Sequence, residues 1–202
     1  MLIAMTGQKR SGKDTVAALI HDYEYGRRTF ERVSFAGTLK GMIRHLLLSA
    51  GMNEETAEDH INGNRKEVPL DVLQGKTTRF AMQTLGTEWR DLIGKDLWTD
   101  IVRAKVGSTP DVMLTDMRFL HEERFVGEMD GKKIRVVRAG QAPISKDAHP
   151  SEQEMNAITP DATIFNHGSM EDLRVAAILA YEHLAGRIPL MNAEDYWNGN
   201  QA

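Results

Sequence analysis

Along the chain, short unbroken apolar runs alternate with longer stretches in which apolar positions recur every three or four residues. The runs fall at 2–5, 32–36, 112–116, 134–138 and 162–166, and each is followed by a glycine, a polar segment or a helix start. Unbroken runs of this length fit strands of a parallel sheet buried on both faces. Alternation of such strands with helical segments predicts an α/β fold, a mainly parallel five-stranded sheet flanked by helices. Between the second and third runs lies a mostly helical stretch, 37–106, much longer than a crossover needs. Its polar, charged part, 54–71, is predicted to be the most mobile segment, and 191–202 a peripheral tail. No internal repeat or low-complexity tract interrupts the alternation.

Directly after the first run stands GQKRSGKDT, residues 7–15. Gly7, four residues, Gly12 and Lys13 have the spacing of the phosphate-binding loop, except that Asp14 occupies the position where a hydroxyl is expected. Glycines let such a turn curl so that several N–H groups converge, and the following helix adds partial positive charge at the same point. On this reading Gly7, Lys9, Arg10, Ser11, Gly12, Lys13, Asp14 and Thr15 cradle nucleotide phosphates, with Lys13 along the β and γ groups. The plainer alternative is a glycine turn that contains a lysine. Five strands at these spacings suit a P-loop NTPase kinase core.

Length and charge narrow the function classes. The 202 residues suit one domain. Its core is predicted at 1–50 and 107–190, with a helical acceptor-binding region at 51–106 and a lid-like segment at 139–160. Twenty-five basic against 29 acidic residues, net −4, leave no overall footprint for nucleic acid. Phosphate binding must then come from locally placed Arg and Lys. Cysteine is absent, which excludes disulfides and cysteine-ligated zinc. No run approaches a membrane span and no signal peptide is recognisable, so a cytoplasmic protein is expected.

Several other residues carry candidate chemistry. Asp116 ends the third run, where a strand delivers a carboxylate beside the phosphate loop to assist magnesium; Arg118, two residues on, can pair with phosphate oxygens. A helix-capping aspartate followed by a surface arginine is the alternative. In RFAMQTLGTEWRDLIGKDLW the apolar positions read as core, leaving Arg79, Gln83 and Arg90 either to hold a second phosphate and a base edge or to form a solvated face. Lys40 and Arg44 of FAGTLKGMIRHLLL are candidates for the same acceptor pocket. Arg138 and Lys146 can donate to phosphates from the strand end and its following loop, whereas His149 has no second metal ligand at a suitable spacing. Asn166 either faces an adenine ring or serves the turn, and Ser169 with Asp172 reads as a helix cap.

Together KRSGKDT, SFAGTLK, RFAMQTLGTEW with Trp98 downstream, TDMRFLHE, VVRAGQ followed by DAHPSE, and IFNHGSMEDL resemble the phage deoxynucleoside monophosphate kinases. The resemblance covers most of the chain and includes GKDT. It implies ATP and Mg2+ as cofactors, with Asp14, Thr15 and Asp116 as candidate metal-assisting groups. It places a deoxynucleoside monophosphate against Lys40, Arg44, Arg79 and Gln83, with Arg118 and Arg138 bridging donor and acceptor. A phage-encoded member would work in the host cytoplasm; a homodimer is left open. The competing readings are a P-loop kinase acting on another phosphorylated metabolite, and an ATP-binding module without transfer activity.

Overall fold

The computed structural model describes residues 1–142 and 150–189. The strands of the main sheet are β1 (Leu2–Thr6), β2 (Glu31–Val33), β5 (Val112–Leu114), β6 (Lys132–Arg138) and β7 (Ala162–Asn166). They are all parallel, in the order β2-β5-β1-β6-β7. Counting only these five, the first strand in sequence is central and each half of the sheet winds away from it. This is the mainly parallel five-stranded sheet expected from the apolar runs.

β1 is buried at every position, as a central parallel strand requires. Its side chains alternate. Ile3 and Met5 join Ile134, Val136 and Ile164 under α1 (Lys13–Glu24) and α9 (Met170–Leu184). Leu2 and Ala4 join Val33, Leu114 and Phe125 under α6 (Leu97–Val106) and α7 (Leu120–Glu128). Burying one such large side chain contributes roughly 1.5–3 kcal/mol, so two apolar layers pin the strand whose end carries the glycine loop.

The long connection between β2 and β5 begins with α2 (Gly37–Ser49) and α3 (Glu54–Ile61). Ile43 and Leu47 of the first pack on Ala57 and Ile61 of the second, and Asn53 caps α3 by accepting from Thr56 N at 2.8 Å. The connection is not wholly helical. A two-stranded antiparallel hairpin, β3 (Pro69–Leu70) and β4 (Lys76–Thr77), turns through a 3-10 segment, Asp71–Leu73, and a left-handed Gln74. Strands of two residues are too short to leave a periodicity. Next come α4 (Thr78–Thr84), a π-helical turn at Leu85–Trp89 and α5 (Arg90–Ile93).

α6 packs its Val102 and Val106 in the main core with Val112 and Leu114 of β5. β2 stops at Val33, because Ser34–Ala36 turn aside to meet Asp116. A further short helix, α8 (Pro150–Met155), precedes β7. Among the described residues no helix is long and apolar enough to cross a membrane.

Candidate active site

The end of β1 enters a strained loop. Gly7 has φ 143°, Arg10 φ 65° and Gly12 φ 106°, all in the region that disfavours side chains. Gly12 begins α1 without any side-chain cap, which leaves the first helical N–H groups facing the loop's concavity. Asp14 stands exposed on the first turn with no hydrogen bond or ion pair among the described residues, and Thr15 is half-buried.

The loop is tied to the strand ends beside it. Asn166 Nδ2, from the end of β7, donates to Ser11 O at 2.9 Å, and Arg138 Nη1, from the end of β6, donates to Arg10 O at 3.3 Å. Gln141 Nε2 donates to Lys9 O at 2.8 Å, while Gln8 Nε2 donates to Ala142 O at 3.2 Å. The residues after β6 are thereby laced to the loop. Lys13 folds back on its own loop, with Nζ donating to Gly7 O at 2.6 Å and to Gln8 O at 2.9 Å. Burial, reinforced by Arg118, pulls this ammonium down to about 8 against the opposing pull of Asp14 and Asp116.

Asp116, just past β5, spends both oxygens on the start of α2. Oδ1 accepts from Phe35 N at 3.0 Å; Oδ2 accepts from Ala36 N at 3.0 Å and from Ser34 Oγ at 2.5 Å. No residue of α2 supplies a side-chain cap, so the capping arrangement comes from a distant strand. The clamp fixes α2, and with it Leu39 and Lys40, beside the phosphate loop.

Next to this clamp opens a cleft of about 250 Å³. Lys9, Lys40, Lys66, Arg79 and Arg118 reach it from five parts of the chain. Arg79 pairs with Glu67, but among the described residues no ion pair is found for the other four. Burial lowers the Lys66 ammonium below its usual range, and the nearby charges of Lys40, Lys9, Arg79 and Arg118 lower it further. Uncompensated cations packed this closely make an anion site. The rest of the wall is apolar and aromatic: Phe35, Leu39, Met82, Trp98 and Phe119, with the Gln83 amide among them.

The π-helical turn shapes that wall. Thr87 Oγ1 donates to Gln83 O at 2.7 Å, and Trp98 Nε1 donates to Leu85 O at 3.3 Å. One widened turn thus presents Gln83, Gly86 and Thr87 together to the cleft. His121 and Glu122 also line the cleft, next to Phe119. Burial, then Arg90, pushes the His121 imidazole down to about 4. Burial, then Asp116, pushes the Glu122 carboxyl up to about 8. Both side chains are therefore uncharged at neutral pH.

The sequence-derived candidates divide accordingly. Lys9, Lys40, Arg79, Gln83, Asp116 and Arg118 meet in the cleft, and Lys13 adjoins it. Arg44 does not line it; on the outer side of α2 it pairs with Glu58 of α3. Arg90 stands behind the wall, paired with Asp91 and stacked over the Phe119 ring at 5.0 Å. Arg138 and Asn166 brace the phosphate loop through its carbonyls. Lys146 and His149 lie outside the described residues. Sequence reasoning passed over Lys66, Phe119, His121 and Glu122. Glu122 alone had a readable signal, as a glutamate at the third position of a helix.

A family model described as "Deoxynucleotide monophosphate kinase" matches residues 38–176. A protein of Acanthamoeba polyphaga mimivirus, provisionally named deoxynucleotide monophosphate kinase, is 32% identical over 189 residues, which is 85% of this chain and 91% of the relative. Among solved structures, shikimate kinase from Aquifex aeolicus vf5 superposes with a TM-score of 0.45 at 12% identity, over 93% of this chain and 100% of the other.

Proposed function

From the premise that the chain belongs to the deoxynucleotide monophosphate kinase family, we propose that it transfers the γ-phosphoryl group of ATP to a deoxynucleoside 5′-monophosphate, giving ADP and the diphosphate. A nucleotide-kinase role follows from the family; the site supports the choice of donor and acceptor. One observation carries the assignment. The glycine loop and a cluster of uncompensated cations border one cleft, so two phosphate groups can meet there.

The ATP phosphates lie on the loop N–H groups and the start of α1. Lys13 exchanges the Gly7 and Gln8 carbonyls for phosphate oxygens, and the arriving negative charge restores its hold on the proton. Lys40, Lys66 and Arg79 hold the acceptor phosphate, and Arg118 stands between the two sites. Bringing two polyanions into line is the main task, and fixed cations accomplish it by orientation and charge neutralisation. No protein nucleophile is needed. The nucleoside lies along Phe119, Trp98 and Gln83.

Among the described residues there is no group of three or more His, Asp or Glu side chains able to hold a metal. That fits magnesium carried on nucleotide phosphates with one or two protein oxygens. Asp14, exposed beside Lys13, makes no hydrogen bond or ion pair among the described residues, whereas the Asp116 oxygens are already spent on α2. When bound, magnesium neutralises phosphate charge in the transferring group.

The test is ADP formation from ATP and magnesium with each deoxynucleoside monophosphate in turn, beside a control without acceptor. Acceptor-dependent release supports the assignment and names the preferred base. Silence with every acceptor, despite ATP binding, would sink it in favour of another phosphorylated metabolite or a module without transfer activity.

A further inference from the structure

We propose that Glu122 is a positioning residue for the acceptor, its carboxyl group donating a hydrogen bond to the nucleoside part of the bound monophosphate. The assignment rests on the nucleotide-kinase reading and deepens it.

Glu122 is the third residue of α7, and its side chain folds back over the helix start. Oε2 accepts from Arg118 N at 2.7 Å and from Phe119 N at 3.0 Å, so that oxygen serves the helix. For Oε1 no hydrogen bond is found among the described residues. The residue is only 5% exposed, yet it forms part of the cleft wall beside Arg118, Phe119 and His121.

The charges around it decide its form. Asp116, ahead of α7, opposes a further negative charge and Arg118 favours it, while His121 on its own helix is neutral; Lys40 of α2 and Glu152 of α8 line the same cleft. Burial outweighs both the Arg118 charge and the two backbone donors, and the carboxyl keeps its proton to about pH 8. Because Oε2 already accepts two N–H groups, the proton resides on Oε1. A neutral carboxyl in this arrangement is a donor.

Its target must carry an acceptor atom. The cations of the cleft address the phosphate, whereas the Phe119 and His121 rings next to Glu122, with centroids 5.2 Å apart, offer a surface that fits an uncharged part of the ligand. A sugar oxygen, a base carbonyl or a ring nitrogen meets the requirement. Neutrality has a second effect: an ionised Glu122 would repel an incoming dianion and could no longer donate.

Glu122→Gln keeps an oxygen for the two N–H groups and a donor for the ligand, but cannot ionise. Dissociation constants for the preferred deoxynucleoside monophosphate, without ATP, are to be measured by calorimetry from pH 6.5 to 9.5 for wild type, Glu122→Gln and Glu122→Ala. Thermal unfolding monitors folding. Near pH 7 the Gln variant is expected to bind within about threefold of wild type, and at pH 9 about tenfold more tightly, since each pH unit past a titration is worth tenfold. Glu122→Ala should bind weakly at both pH values.

Parallel pH profiles for wild type and Glu122→Gln would overturn the assignment while leaving the kinase reading intact. So would a Gln variant that folds but binds as poorly at pH 7 as the Ala variant. Wild type that binds no deoxynucleoside monophosphate at any pH would overturn both together.

Discussion

Replacing Gly7 by alanine tests whether the phosphate loop is shaped by a contact with its neighbouring strand. An added Cβ would lie 2.3 Å from Val136 O, 3.3 Å from Val136 C and 2.9 Å from Ser11 Oγ. Val136 is fully buried within β6, and the β1–β6 ladder holds the two backbones in register up to Thr6 and Arg135. Neither backbone can withdraw without loosening that ladder. The φ of 143° adds strain of about 1–3 kcal/mol for a residue with a side chain. Overpacking adds a similar ~1–3 kcal/mol. Together they amount to about 4 kcal/mol, a lowering of Tm by roughly 8–16 °C for a domain of this size. Gly26→Ala is the control, because Gly26 has φ 83° but nothing within 4 Å of the added carbon. Thermal unfolding by circular dichroism compares the two. A Gly7→Ala variant no less stable than Gly26→Ala would refute the close-approach argument, whatever its effect on ATP binding.

Three further outcomes are expected. Lys13→Ala should lower turnover by about 10²–10³-fold with little change in Tm, since Nζ bonds only loop carbonyls; near-normal turnover would remove Lys13 from the reaction. Asp116→Asn keeps one acceptor oxygen but loses the second; the freed α2 start should cost about 1–3 kcal/mol and raise the acceptor KM through Lys40. A raised magnesium requirement with unchanged acceptor KM would instead make Asp116 a metal-assisting group. Glu122 holds its proton in the folded chain to about pH 8 against an ordinary 4.5. Stability is therefore full below pH 4.5 and declines as pH rises to about 8, by a total of about 5 kcal/mol. Denaturant titrations of Glu122→Gln should lack that slope, and an equal slope in both proteins would contradict the burial of an ionisable group there.

Local pattern was enough for the frame of this protein. Five apolar runs became five parallel strands, because burial on both faces demands unbroken apolar stretches. GQKRSGKDT was legible for a related reason: the requirements of the loop, φ > 0 at glycines and a helix start directly after, are met by neighbours in sequence. Lys40, Arg79, Gln83 and Arg118, each singled out beside an apolar pattern that fixed its element, line one cleft.

Periodicity gives a helix face but not what that face meets, and there tertiary structure decided. Lys40 and Arg44 lie one turn apart on α2, yet α3 captures Arg44 through Glu58 while Lys40 reaches the cleft. Asp116 could be a metal group or a cap by sequence; only the approach of Ser34, Phe35 and Ala36, at least 80 residues away, showed both oxygens engaged on the start of α2. Asn166 bonds Ser11 across 155 residues for the same reason. The protonation of Glu122 and the crowding of Lys66 depend on desolvation and on charges from separate segments. The order of residues along the chain encodes the backbone requirements of each element, whereas charge, burial and partnership exist only once the sheet has brought those elements to one edge.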